Sequence, residues 1–207
     1  TSPINVAIPS GNFGNAYSAW FGRSNGLPVN KILCSTNVND VLRRFIETGE
    51  LAPEKTLPSV APSMDIQIPS SLERLIFDFT DGASPFYDAL LNEHKAKLSD
   101  DKIIQLNQIF SSSTFLDDDI KSEIKSLYQE FGSIFDPHSV TSIRMALNNQ
   151  DSVPTVAVAT ASPEKFSNVI APLIETFSEV EIDDKEEYLK LENDKSAISA
   201  SIKAYFS

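Results

Sequence analysis

The order in which strand and helix patterns alternate at its start constrains this chain most. Ile4-Asn5-Val6-Ala7-Ile8 alternates as a half-buried strand does, and Pro9 to Gly14 then supplies a sharp turn. Asn15 to Asn25 has the pattern of a short helix with Ala16, Ala19 and Trp20 on one face, stopped by Gly26. Lys31 to Ser35 is a second strand. Asn39 is placed to cap a helix whose Val41, Leu42, Phe45 and Ile46 form an apolar stripe, and Gly49 ends it. Strand, helix, strand, helix in that order calls for parallel strands joined by right-handed crossovers. The expected class is α/β, a parallel sheet with flanking helices.

Further along, residues 50–69 are extended and Pro-rich, with Met64-Asp65-Ile66-Gln67-Ile68 a candidate short strand. From Ser70 to about Asn149 the pattern is almost wholly helical. Leu72, Leu75, Ile76 and Phe79 mark one helix, Phe86, Ala89 and Leu90 the next, and Ile103, Leu106 and Phe110 a third. Ile120, Ile124, Leu127, Tyr128 and Phe131 make the clearest stripe, with Asp117 to Asp119 at its positive N-terminal end. A further helix is expected from Pro137 to about Leu147. Strand character returns at Val153 to Ala159, a continuous apolar run of the kind buried on both faces. Ser162 and Pro163 then open a helix lined by Phe166, Val169, Ile170, Leu173, Ile174 and Phe177, and Asp194 to Phe206 closes the chain as a helix. The expected organisation is an α/β domain begun by residues 1–69, a helical insert over 70–149, and the rest of the α/β domain with a C-terminal helix over 150–207.

The composition narrows the classes of function. With 41% apolar residues and 13 Phe among 207 residues, the chain can bury a sizeable core. Its 29 acidic and 17 basic residues argue against a nucleic-acid or anionic-membrane surface, either of which needs clustered Lys and Arg. Part of the excess is local, running through Glu179, Glu181, Asp183, Asp184, Glu186, Glu187, Glu192 and Asp194, and fits a solvated linker and helix face. Cys34 is the sole cysteine, inside Ile32-Leu33-Cys34, so a small buried hydrophobe in a reducing, cytoplasmic setting is expected. No apolar run approaches a membrane span. Thr1-Ser2-Pro3 leads straight into the first strand, as though the chain began mid-domain, so a fragment is expected.

Two places can carry chemistry. Ser10-Gly11-Asn12-Phe13-Gly14-Asn15 ends a strand and opens a helix, so successive backbone N–H groups and the helix dipole aim at one point, where a phosphate is the natural occupant. Glycine there permits close approach. A Gly-Asn turn of this kind serves a purely structural purpose at least as often. Neither the P-loop pattern nor the three-glycine dinucleotide loop is met, position 16 being Ala16. The second place is Thr160, at the carboxyl end of the run 153–159, where ligands collect in open α/β sheets. Its hydroxyl suits a ring nitrogen, or simply the strand-to-helix turn. His94 falls on a charged helical stretch and is expected to be solvent-exposed. His138 is near a helix start, where a cap or packing role is the ordinary one. No metal cluster and no Ser-His-acid set emerges.

Pro9-Ser10-Gly11-Asn12-Phe13-Gly14-Asn15 closely resembles the phosphate loop of threonine synthases. The resemblance continues through Ser35-Thr36-Asn37-Val38-Asn39-Asp40, Ala61-Pro62-Ser63-Met64-Asp65-Ile66 with Leu72-Glu73-Arg74-Leu75, Asp136-Pro137-His138-Ser139, and Ala159-Thr160-Ala161-Ser162-Pro163-Glu164-Lys165-Phe166. These blocks stand in the family's order and span most of the chain. The resemblance implies a tryptophan-synthase-β-like fold and a pyridoxal 5'-phosphate lyase that turns O-phosphohomoserine and water into threonine and phosphate. It implies that Gly11, Asn12, Phe13 and Asn15 hold the cofactor phosphate, that Gly14 permits the turn, and that Thr160 hydrogen-bonds the pyridine nitrogen. A hydroxyl there tempers the cofactor's pull on electrons, since it does not keep the nitrogen protonated as a carboxylate does.

The departures matter as much. Ser162 stands where the family often has His. The family's cofactor-binding lysine lies in a Phe-Lys-Asp block upstream of the phosphate loop, and no such block occurs here. No residue is therefore assigned a catalytic role. The chain alone is expected to be inactive, with the N-terminal portion of the same protein as its partner. The alternatives are another pyridoxal-phosphate lyase, a non-catalytic threonine-synthase-like protein, or a phosphate-binding module without catalysis.

Overall fold

Strand β1 (Ile4–Pro9) turns Ala7 to one face of a sheet and Ile8 to the other, and both are buried. A strand covered on both faces belongs in the middle. In the computed structural model, which describes residues 2–80, 82, 84–149, 152–177 and 190–205, β1 lies between β2 (Val29–Thr36) and β6 (Thr155–Ala157). Strand β5 (Phe110–Thr114) pairs beyond β2, so the order is β5-β2-β1-β6 and every pairing is parallel. The remaining strands, β3 (Glu50–Leu51) and β4 (Ala96–Lys97), form a small antiparallel ribbon.

Helices α1 (Gly14–Ser24) and α2 (Val41–Thr48) follow β1 and β2, as the opening pattern requires. Gly49 closes α2 in the left-handed conformation, with φ of 71°, its N–H donating to Phe45 O. Helices α3 (Leu72–Thr80), α4 (Ser84–Glu93) and α5 (Asp100–Ile109) complete the layer on that side. Its core joins Ile8, Ile32 and Cys34 of the sheet to Phe45, Leu72, Leu106 and Phe110. Burial pushes the Cys34 thiol up to about 12, so it is an inert core group. Helices α6 (Asp117–Phe131), α7 (Ser139–Asn148) and α8 (Ser167–Ile170) build a second core around Ile120, Ile124, Leu127, Val140 and Ile170. Met145 of α7 reaches Ala7 and Leu33 on the other face of the sheet. The last helix, α9 (Lys195–Tyr205), begins at Asp194, whose carboxylate accepts the Ser196 and Ala197 N–H groups.

Several expectations are corrected. The span 70–149 is not helical throughout, because β5 lies inside it and supplies one end of the sheet. Residues 64–68 form no strand. Pro62–Met64 is a short 3-10 turn, and Asp65 and Gln67 direct their side chains into a polar network. Asn39 does not cap α2. Its side chain instead exchanges two hydrogen bonds with the Leu57 backbone, at 2.8 Å each, and Asp40 precedes the helix. The run 153–159 is not buried on both faces: β6 is short and at the sheet's other end, with Val156 half exposed. Pro163 to Phe177 is not one helix but a 3-10 turn, α8 and further turns, although its apolar face packs as expected. Residues 178–189, with Glu179 to Glu187 of the acidic stretch, and Phe206 lie outside the described residues. Among the described residues no helix is long and apolar enough to cross a membrane, and no group of His, Cys, Asp and Glu could hold a metal ion.

The polar network fixes the Pro-rich stretch to the end of β2. Asp65 accepts from Asn37 Nδ2 at 2.7 Å, Asn39 Nδ2 at 3.0 Å, and the Ser59 hydroxyl and N–H at 2.6 and 3.0 Å. Asn37 and Asn39 are buried and keep other acceptors in Ala61 O and Leu57 O, so removing Asp65 costs the charge-assisted share of the network and the partner of the Ser59 N–H. Asp65→Ala is expected to lower unfolding stability by about 2 kcal/mol. A shifted denaturant midpoint at unchanged slope is the readout, and an unchanged midpoint would rule out a structural role for the network.

Candidate functional site

The order in which strands are added reverses at β1: its successor β2 pairs on one side, and β6 arrives on the other. Such a reversal opens a crevice at the carboxyl ends of the strands. Here it holds a cavity of about 310 Å³ lined by Pro9 to Ala16, Ser63, Met64, His138, Thr160 and Ala161.

The loop's shape rests on three devices. Gly11 packs against the backbone of the 62–64 turn, where an added Cβ would lie 2.6 Å from Ser63 O and 2.9 Å from Met64 Cα. Phe13, not Gly14, takes the left-handed conformation (φ 68°), and its buried ring packs 5.7 Å from Phe110. Asn12 Oδ1 accepts from the Ser70 N–H and hydroxyl at 2.6 and 2.9 Å, and its carbonyl accepts from Ser71 N–H. Helix α1 then begins at Gly14, so the N–H groups of Gly14, Asn15 and Ala16 belong to the first turn, which has no intrahelical acceptors. These three residues line the cavity. This end of the cavity offers N–H donors and a positive dipole end to an anion.

The opposite wall is organised by Asp136, which is fully buried. Its Oδ1 accepts from His138 N–H at 2.9 Å and lies 2.7 Å from His138 Nδ1; its Oδ2 takes a short hydrogen bond from the Ser139 hydroxyl. His138 Nε2 accepts the Ser63 N–H at 3.1 Å, so the ring proton sits on Nδ1. Both ring nitrogens are thus engaged, and His138 is a clip between α7 and the 62–64 turn rather than an acid or base. Burial raises the Asp136 carboxyl's pKa, but the hydrogen bonds from His138 and Ser139 outweigh it, and the net shift is below the ordinary value. Ser139 Oγ accepts the Thr160 N–H at 3.0 Å, which leaves the Thr160 side chain exposed at the cavity.

No model of a known protein family matches the chain. Individual proteins do. Over 173 residues, 81% of the chain, it is 31% identical to threonine synthase of Pseudomonas aeruginosa. It superposes on the pyridoxal-phosphate-bound threonine synthase of Brucella melitensis with a TM-score of 0.84 over 98% of its length, at 25% identity. The chain belongs to the threonine-synthase family. It is also 32% identical over 176 residues to human threonine synthase-like 1. The yeast threonine synthase structure gives a TM-score of 0.78 at 24% identity, a likeness of fold. The matched region is 37% of the Pseudomonas protein, 24% of the human one and 46% of the Brucella chain, so the chain spans under half of these relatives. The α/β parallel sheet with flanking helices is the tryptophan-synthase-β-like architecture of that family.

In this threonine-synthase homologue the residues singled out in the sequence, Gly11 to Asn15 and Thr160, line one cavity. Phe13 is among the lining residues although its ring belongs to the core. His94 is exposed and outside the cavity. His138, expected only to cap or pack, is brought into the wall, although its side chain makes no capping bond to α7. Asp136, Ser139 and Ser63 stand in the blocks that carry the resemblance but have no site role assigned from sequence. The signal for the first two is the Asp136-Pro137-His138-Ser139 block, in which an acid two residues before a histidine can fix its ring; Ser63 has no comparable signal.

Proposed function

We propose that this chain is the cofactor-binding portion of a pyridoxal-phosphate-dependent threonine synthase, an enzyme that converts O-phosphohomoserine and water to threonine and phosphate. The observation carrying this reading is that an anion-accepting helix start and the exposed Thr160, at the end of another strand's connection, line one cavity. The donor set fits the group. Backbone N–H groups of the 11–16 loop and the amides of Asn12 and Asn15 suit a phosphate, while Gly11 lets the 62–64 turn close one side. Thr160 stands at the other wall, where its neutral hydroxyl would meet the ring nitrogen without keeping it protonated. When bound, pyridoxal phosphate supplies an electron sink for proton removal next to the amino-acid nitrogen. The chain's own residues orient that group and cover it; none moves a proton.

No lysine lines the cavity among the described residues. The amine that anchors such a cofactor and carries protons would therefore come from elsewhere in the intact protein. The 1–207 polypeptide alone is expected to release no phosphate from O-phosphohomoserine. The full-length protein containing it should bind pyridoxal phosphate, seen as absorbance at the edge of the visible range, and release phosphate. Absence of cofactor absorbance in the full-length protein would overturn the reading. A second reading is a threonine-synthase-like homologue that binds the cofactor without this turnover. Cofactor absorbance without phosphate release is its signature.

A further inference from the structure

We propose that Ser139 is a positioning residue that sets the height of Thr160 at the cavity wall. The inference rests on the reading of Thr160 as the cofactor's ring-nitrogen partner. Strand β6 ends at Ala157, and the last backbone bond to the sheet beyond it is Val158 N–H to Ala7 O, at 2.9 Å. Past that point two α7 hydroxyls take over. Ser142 Oγ lies 2.9 Å from both Val158 O and Ser139 O and shares its one proton between them, and one turn earlier Ser139 Oγ accepts the Thr160 N–H at 3.0 Å. Together they grip a carbonyl and an N–H two residues apart on the same segment.

The direction of the Ser139 bond is forced. A serine hydroxyl has one proton, and here it goes to the Asp136 carboxylate, which can only accept. The lone pairs then point to the Thr160 N–H. Asp136 also holds His138, and His138 holds Ser63 against Gly11. One buried carboxylate thus sets both walls, and Ser139 is the arm that reaches Thr160. Ser139 is itself fully buried and absent from the cavity lining, so it acts through Thr160 and not on a ligand.

The test compares Ser139→Ala, Ser139→Cys, Ser139→Thr and Thr160→Val in the full-length protein. Two readouts serve: amide hydrogen exchange of the peptide spanning residues 158–166 without cofactor, and the absorption spectrum of bound pyridoxal phosphate. Ser139→Ala is expected to speed exchange at Thr160 about tenfold, the loss of roughly one net hydrogen bond. It should also shift the spectrum in the direction that Thr160→Val does, and Ser139→Thr should restore both. Ser139→Cys, close in volume and a weak acceptor, replaces the alanine variant if that one does not fold. Unchanged exchange at Thr160 in the alanine or cysteine variant overturns the proposal, as does a spectral shift by Thr160→Val that neither reproduces. If Thr160→Val leaves the spectrum unmoved, the ring-nitrogen reading fails, and faster exchange in Ser139→Ala still establishes the clamp.

Discussion

Gly11→Val is expected to loosen the anion end of the cavity and the 62–64 turn in one step. The first added carbon would lie 2.6 Å from Ser63 O and 2.9 Å from Met64 Cα, and both are backbone atoms that no rotamer change can move aside. Nor can the turn retreat freely, because Ser63 N–H is held by His138 Nε2 and Met64 is buried in the second core. Either the clip breaks or the loop shifts. Overpacking of this kind costs about 1–3 kcal/mol. A displaced set of N–H donors should cost pyridoxal-phosphate affinity by about 10- to 100-fold, the loss of a hydrogen bond to a charged group. The checks are a denaturant midpoint and a cofactor titration of the full-length protein. Gly14→Ala is the internal control: its Cβ would meet only Ser71 Oγ at 3.7 Å, an ordinary contact. If the two substitutions behave alike, the close approach at Gly11 does not shape the site.

Asp136→Ala should be the more damaging to stability. It deprives the His138 N–H, the His138 ring and the Ser139 hydroxyl of their acceptor inside a fully buried site. Stranded buried donors cost roughly 1–3 kcal/mol each, so a loss of about 3 kcal/mol or more is expected. Asp136→Asn keeps one acceptor oxygen and should lose less. The same carboxylate makes a pH prediction. Its pKa is depressed on folding, so its contribution is complete above the ordinary aspartate value near 4 and is lost as pH falls through the lower folded value. Denaturant midpoints between about pH 6 and pH 3 should fall with acid in the parent, and this part of the fall should be missing in Asp136→Asn. Identical acid slopes in the two proteins would contradict the assignment.

Much of this was visible in the chain's pattern, and the failures have physical causes. β1, α1, β2 and α2 follow from local periodicity, since each buries a face that its own side chains mark. β5 escaped because Phe110-Ser-Ser-Ser-Thr114 has no apolar alternation, and Phe110 continues the stripe of the helix before it. Pairing with β2 decides that segment, not its own preference. Met64 to Ile68 erred the other way. Its alternation imitates a strand, yet Asp65 and Gln67 are consumed by buried asparagines. The apolar run 153–159 looked central because composition records hydrophobicity and not neighbours. Gly11 to Asn15 and Thr160 could be chosen from sequence because each follows a strand, whereas Asp136, Ser139 and Ser63 act through contacts between distant segments.

Phe13 carries a consequence for anyone who would move this loop to another protein. Its left-handed backbone angle is one that phenylalanine disfavours by about 1 kcal/mol or more. What holds it is a ring wedged against Phe110, on the strand at the far end of the sheet. The six-residue signature is therefore not a portable cassette. Grafted without its aromatic counterweight, it would keep its letters and relax out of its shape.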